Sequence, residues 1–259
     1  IETFIKGPNG KYEEPDINFT NDLRRKSWRN SLSAAFIWKY KQLSLTATGS
    51  VLAFDIYNDF MKTASSVNQH FTYWLPALNI NWKGLNFNYS VNVQPAEIND
   101  VQPTPDNTNP LYISEGNPEL LPTKHHSIYL NYYKSIAAKQ LNIYAYVNGS
   151  FREDGITRSR TVREDGVQVT RPVNINGQHS FYSNMNISKQ YKIFNKLQLS
   201  FGGGYNINYN RNFLIINARR GFVKTLGGGP QANINLNWKD KIEYNVNYNL
   251  NFSRSTYES

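Results

Sequence analysis

The chain has 259 residues, no cysteine and a formal net charge of +9, with 39% hydrophobic and 14% aromatic residues. Disulfides, thiolate metal sites and thiol nucleophiles are excluded, and no apolar run reaches the roughly 18 residues of a membrane-crossing helix. The positive surplus suits nucleic acid, anionic lipid or an acidic ligand, and its placement along the chain decides among them.

Residues 1–27 read as loop: Gly7-Pro8-Asn9-Gly10 is turn chemistry, and Glu13 to Arg25 is charged without a sustained period. The opening Ile1-Glu2-Thr3-Phe4 lacks the basic start and apolar core of a signal peptide, so a mature or partial chain is expected. Then a repeat begins. Leu32, Ala34, Phe36 and Trp38 alternate toward a turn read at Lys39-Tyr40-Lys41, and Leu43, Leu45, Ala47, Val51 and Ala53 lead away from it. Strands send successive side chains to opposite faces, so Ser44, Thr46, Thr48 and Ser50 make the second face polar.

After a link at 55–70, Trp74, Leu78, Ile80 and Trp82 approach the turn Lys83-Gly84, and Leu85, Phe87, Tyr89, Val91 and Val93 depart. The link from Pro95 to Thr123 carries six prolines and is expected to lack regular structure. Ile128, Leu130 and Tyr132 then turn around Ser135–Lys139 into Leu141, Ile143, Ala145, Val147 and Phe151. A charged link, Arg152 to Arg171, precedes Phe181, Met185 and Ile187, a turn near Phe194-Asn195-Lys196, and Leu197, Leu199, Phe201, Tyr205 and Ile207. The link from Asn208 to Gly229 leads to the clearest hairpin. Ala232, Ile234, Leu236 and Trp238 alternate with Asn before Lys239-Asp240-Lys241, and Ile242, Tyr244, Val246, Tyr248, Leu250 and Phe252 alternate with polar residues, chiefly Asn, after it.

Five hairpins and ten strands are thus expected, with short lysine-bearing turns at one end and long links at the other. Charge supports a membrane setting: 43–54, 72–82, 85–94, 126–133, 140–151, 178–188, 197–210 and 230–238 hold no Asp, Glu, Lys or Arg. A charge on a lipid face near mid-membrane costs about 2–4 kcal/mol, whereas a soluble sheet gains solubility from such charges. The reading is an all-β, antiparallel, up-and-down transmembrane β-barrel, one domain over 1–259, in the bacterial outer membrane.

Within the longest link, Gly116, Asn117, Pro118, Leu120 and Pro122 follow the pattern Gly-Asn-Pro-x-Leu-x-Pro. This resembles a stretch of TonB-dependent outer-membrane receptors, in which an acid follows where Thr123 stands here. The resemblance implies a larger barrel filled by an N-terminal plug that imports a ligand with energy delivered through TonB. It also implies outer-membrane lipid and lipopolysaccharide around the wall, and a surface lipoprotein as a further partner. No plug-like segment precedes the strands, and both chain ends fall on the long-link side. Ten strands of a larger barrel, without plug or remaining strands, are therefore expected.

Catalytic chemistry is not expected. His125 and His126 alternate to opposite faces, which prevents joint metal binding within one strand, and His70 and His179 stand alone. No metal, cofactor or nucleic-acid partner is predicted; lysines sit at turns and arginines in links, so no continuous basic track forms. Glu153-Asp154 and Glu164-Asp165 share a link with Arg152, Arg158, Arg160, Arg163 and Arg171, a mix expected to form ion pairs or to bind an anion. Gly202–Gly204 and Gly227–Gly229 read as bends or close approaches. The amide face, including Asn245, Asn247 and Asn249, is expected to line a wet lumen and meet a polar ligand. A non-transporting barrel that anchors surface proteins, and a secreted soluble sheet protein, are the rival expectations.

Overall fold

The structure, a computed structural model, describes residues 4–15, 23–60, 65–103, 105–194, 197–239 and 241–258. The turn residues Asn195, Lys196 and Asp240, and residues 61–64 of the first link, lie outside these.

The chain is almost entirely strand. β1 (Phe4–Lys6) and β2 (Tyr12–Pro15) form a separate two-stranded ribbon, so the opening is not simply loop. The wall begins with β3 (Leu23–Tyr40), β4 (Leu43–Phe60), β5 (Ser65–Trp82) and β6 (Leu85–Gln94). The proline-rich link holds one helical turn, α1 (Ile98–Val101), and two short strands, β7 (Asp106–Asn109) and β8 (Tyr112–Ser114). The wall resumes with β9 (Thr123–Ile136) and β10 (Leu141–Glu153). A hairpin of β11 (Gly155–Val162) and β12 (Gln168–Ile175) follows, then β13 (Gln178–Phe194), β14 (Leu197–Ile216), β15 (Arg219–Trp238), β16 (Ile242–Asn249) and β17 (Phe252–Glu258).

The wall strands pair antiparallel in the order β3-β4-β5-β6-β9-β10-β13-β14-β15, with β16 and β17 both on the far edge of β15 as one interrupted strand. That is the ten-stranded up-and-down path the alternation predicts. β3 and β16–β17 do not pair with each other among the described residues, so this sheet is an open arc.

The turns at one end are tight. Lys83 and Gly84 take φ of 44° and 87°, the left-handed pair that matches the twist of a two-residue hairpin. The first turn falls at Lys41-Gln42 instead of Lys39–Lys41, because β3 continues through Tyr40. Three turn lysines lie over the adjacent ring: Lys41 over Tyr40 at 5.2 Å, Lys83 over Trp82 at 5.7 Å and Lys239 over Trp238 at 5.1 Å. The register aligns Tyr40, Leu43, Trp82, Leu85 and Tyr132 in one row, and Trp38, Trp82 and Trp238 stand about half exposed on that face. This is an interfacial aromatic belt.

At the other end the expected loops are mostly strand. β4, β5, β14 and β15 run for 18, 18, 20 and 20 residues, well past the roughly 9–11 that cross a bilayer. The 208–229 link is a continuous hairpin that turns on Asn217 and Ala218, both left-handed at φ of 49° and 64°. Charged side chains mark where hydrocarbon ends, but they do not end a backbone ladder.

Candidate functional site

The inner face is built from amides and gaps. Cross-strand pairing aligns Gly202, Asn233 and Asn247 in one row, and Ser200, Asn235 and Asn245 in the next. Asn249 pairs with Gln231, which faces Gly204. Asn235 donates to Glu243 at 2.7 Å and also to Asn245. A Cβ on Gly202 would stand 2.0 Å from Asn233 Oδ1, so the glycine is the floor on which that amide lies. At Gly204 a Cβ would meet Met185 O at 1.9 Å, and no bulkier residue fits. Close approach, the reason expected for these glycines, is what the register produces. Further round, Tyr129, Tyr146 and Tyr182 form a diagonal of rings with centroids 5.3 and 5.8 Å apart.

The proline-rich link folds inward and is held to the wall. Ala96, Val101 and Leu120 are buried together, with Leu23 and Ile156 packed against them. Arg25 reaches across to donate to Asn58 at 2.8 Å and to the Ala96 carbonyl at 2.7 Å, and Gln69 donates to the Leu120 carbonyl at 3.1 Å. The motif residues do this structural work. Gly116 has the Gln102 carbonyl 2.0 Å from where a Cβ would sit. Asn117 donates through its side chain to Pro172 O at 3.1 Å and through its backbone to Asp100 O at 2.6 Å. Pro118 lies in the turn that follows, and Leu120 and Pro122 are fully buried. Thr123 donates through its hydroxyl to the Asp154 carbonyl at 3.1 Å.

The β11–β12 hairpin occupies the charged link expected as a solvated extension. It does not project freely: β11 pairs in parallel with β14 and β12 with β8, and Val169 and Pro172 are buried. The four arginines it carries, and Arg152 at the end of β10, are separated as a result. Arg158 Nη2 bonds Asp100 Oδ1 at 2.9 Å. Arg163 sits in the hairpin turn, where its backbone N donates to Val167 O, and Arg171 pairs across from Ser159 on the face opposite Arg158 and Arg160. Arg152 and Arg158 line the larger of two hollows, and Arg152 also lines the smaller.

Arg152 lies on the inner face of β10, paired with His125 of β9 on one side and Gln178 of β13 on the other. It borders two hollows. The larger, about 440 Å³, is lined by Gln94, Glu97, Asp100, His125 and Arg158 among others. The smaller, about 170 Å³, is lined by Ser150, Gln178, Ser180, Asn210 and Asn212. Burial, then the charge of Arg152 and of His126, holds the His125 imidazole below the usual histidine range. His126 faces the other way, stacked on Phe151 at 4.0 Å and 3.1 Å from Glu153. His125, Gln178 and Asn210 escape the sequence reading because only the strand register sets them beside Arg152. Among the described residues no three metal-ligating side chains converge.

An open antiparallel wall, uncharged and apolar outside, amide-lined inside and belted by aromatics, defines a membrane β-barrel protein. The sequence matches the outer membrane protein β-barrel family over residues 3–259, and the chain belongs to that family. Its place is the bacterial outer membrane. No curated protein sequence matches it.

Proposed function

We propose that this wall is one arc of a larger, plug-filled barrel that imports a polar solute in a TonB-dependent manner. The observation that carries the reading is the pair of bare edges. Among the described residues β3 and β16–β17 each lack a partner on one side, and unpaired backbone groups are not tolerated in hydrocarbon, which supports further strands completing the ring. The amide-lined inner face suits a hydrated path, and the Gly-Asn-Pro-x-Leu-x-Pro segment, braced to the wall by Asn117, resembles a stretch of receptors of that kind. In this reading lipopolysaccharide surrounds the wall, TonB acts through the plug, a surface lipoprotein is the further partner, and no bond chemistry is performed.

The chain has no cysteine, which makes lumen labelling clean. Asn206→Cys and Asn233→Cys, placed singly in the full-length protein in cells, test the proposal through maleimide labelling rates with and without a protonophore. Energy-driven plug movement changes both rates on collapse of the proton gradient. Identical rates under both conditions leave an anchoring barrel without transport.

A further inference from the structure

We propose that the paired hollows around Arg152 are a binding site for a small polyhydroxylated solute bearing an oxyanion, a carboxylate or a phosphate. The proposal rests on the import reading only for what becomes of the solute; the binding itself is an equilibrium property of the site.

Three observations converge. The Arg152 guanidinium borders both hollows and makes no ion pair or hydrogen bond with any described residue. Its neighbour Arg158 is already neutralised by Asp100 at 2.9 Å, so the two arginines are not equivalent. A guanidinium presents a planar fork of donors that matches an oxyanion in two parallel bonds.

Directly across from Arg152, Gln178 is nine-tenths buried, and its Oε1 has no hydrogen-bond partner. A buried acceptor without a donor is costly, and the residue that carries it lines the smaller hollow. Gly155 packs close beside it, since a Cβ there would stand 2.8 Å from Oε1. The oxygen can only accept, so the ligand must bring an O–H or N–H next to its anionic end.

The remaining lining suits hydroxyl groups. Asn210 and Asn212 can donate or accept, and the Glu97 carboxylate in the lining of the larger hollow accepts only. A simple inorganic anion satisfies Arg152 but leaves Gln178 and Glu97 bare. A neutral polyol does the reverse.

The test is calorimetric titration of the full-length protein in detergent micelles at low salt, with glucuronate, glucose 6-phosphate and glucose as probes. At least one anion binds at least about tenfold more tightly than glucose, the scale of one charge-assisted contact. Comparing the two anions identifies the preferred oxyanion. Arg152→Met abolishes the preference and leaves glucose unchanged; Arg152→Lys keeps part of it. Gln178→Glu, which sets a carboxylate opposite Arg152, weakens the anions about tenfold or more. Arg160→Met removes the same charge outside both hollows and has no effect. Migration of the folded barrel on unheated gels confirms that each variant is intact. The proposal is overturned if neither anion binds better than glucose, or if the preference survives Arg152→Met. Either result leaves the proton-gradient dependence of lumen labelling, and hence the import reading, untouched.

Discussion

The outer half of β4–β5 and the inner face of β14–β16 use the same two-residue alternation and dry opposite faces with it. In β4 the apolar set sits outside through Val51, and then Leu52, Phe54 and Ile56 become the buried set, each no more than 4% exposed. They pack with Phe71, Tyr73, Leu75 and Val93 on the lumen side. In β14–β16 the lumen side stays wet, carrying glycine and asparagine, while Phe201, Ile234 and Val246 remain outside. Alternation states which side chains share a face. Which face is dry depends on what covers it: hydrocarbon below, and above it the inward-turned end of β6 with the proline-rich link behind it.

The largest effect that separates the two regions comes from removing a side chain on each lumen face. Phe54→Ala deletes a fully buried ring and costs about 3–5 kcal/mol, with loosening of the outer mouth as its first sign. Asn247→Ala removes an exposed amide at the arc's edge and costs under about 1 kcal/mol. Urea titration of the full-length protein in lipid vesicles, followed by tryptophan emission, compares them; Trp28 and Trp74 report on the outer half. Equal costs would erase the distinction drawn between the faces.

A smaller contrast tests the outer face of the same strand pair. Ile234 lies between Phe201 and Val246 on the apolar side, and Asn235 is its neighbour on the lumen side. Ile234→Arg places a charge in hydrocarbon and costs about 2 kcal/mol or more, whereas Asn235→Arg is accommodated in water within about 0.5 kcal/mol. Folding yield into vesicles of short-chain lipid measures both. If Asn235→Arg were the worse of the two, inside and outside would be exchanged.

Much of this was legible in the residues. Ten strands, the tight lysine turns and the lipid face follow from unbroken alternation between Trp or Tyr and the links, as in Ala232–Trp238. The outer extensions were not legible. Asp55 and Asp59 interrupt the uncharged run of β4, although Leu52, Phe54 and Ile56 keep the period on the other parity. A span count stops at charge; the ladder continues because backbone bonds are indifferent to it. The site was the least legible part. Arg152 was among the five arginines named from the sequence, but Gln178, His125 and Asp100 reach it from β13, β9 and the link. Such neighbours are set by register and by loop folding, and a linear pattern contains neither.

The smallest effect concerns the rim where these two regions meet. Glu153 is the thirteenth and last residue of β10, beyond the roughly 9–11 residues that cross a bilayer. Lys124 Nζ donates to its carboxylate at 2.7 Å, and that bond, then the nearby positive charges, holds the carboxyl below its ordinary value of 4.5. A depressed folded value means the contact stabilises fully above the ordinary carboxylate range and fades as pH falls through the lowered value. The Glu153 side chain is 46% exposed, so solvent screening keeps the contribution to a few tenths of a kcal/mol, roughly what surface pairs give. The difference in urea midpoint between the native protein and Lys124→Met should therefore be constant at neutral pH and shrink once the pH falls below the ordinary carboxylate value of 4.5. No difference at neutral pH would mean that Lys124 merely lies alongside and that the 2.7 Å bond to Glu153 does not hold the rim.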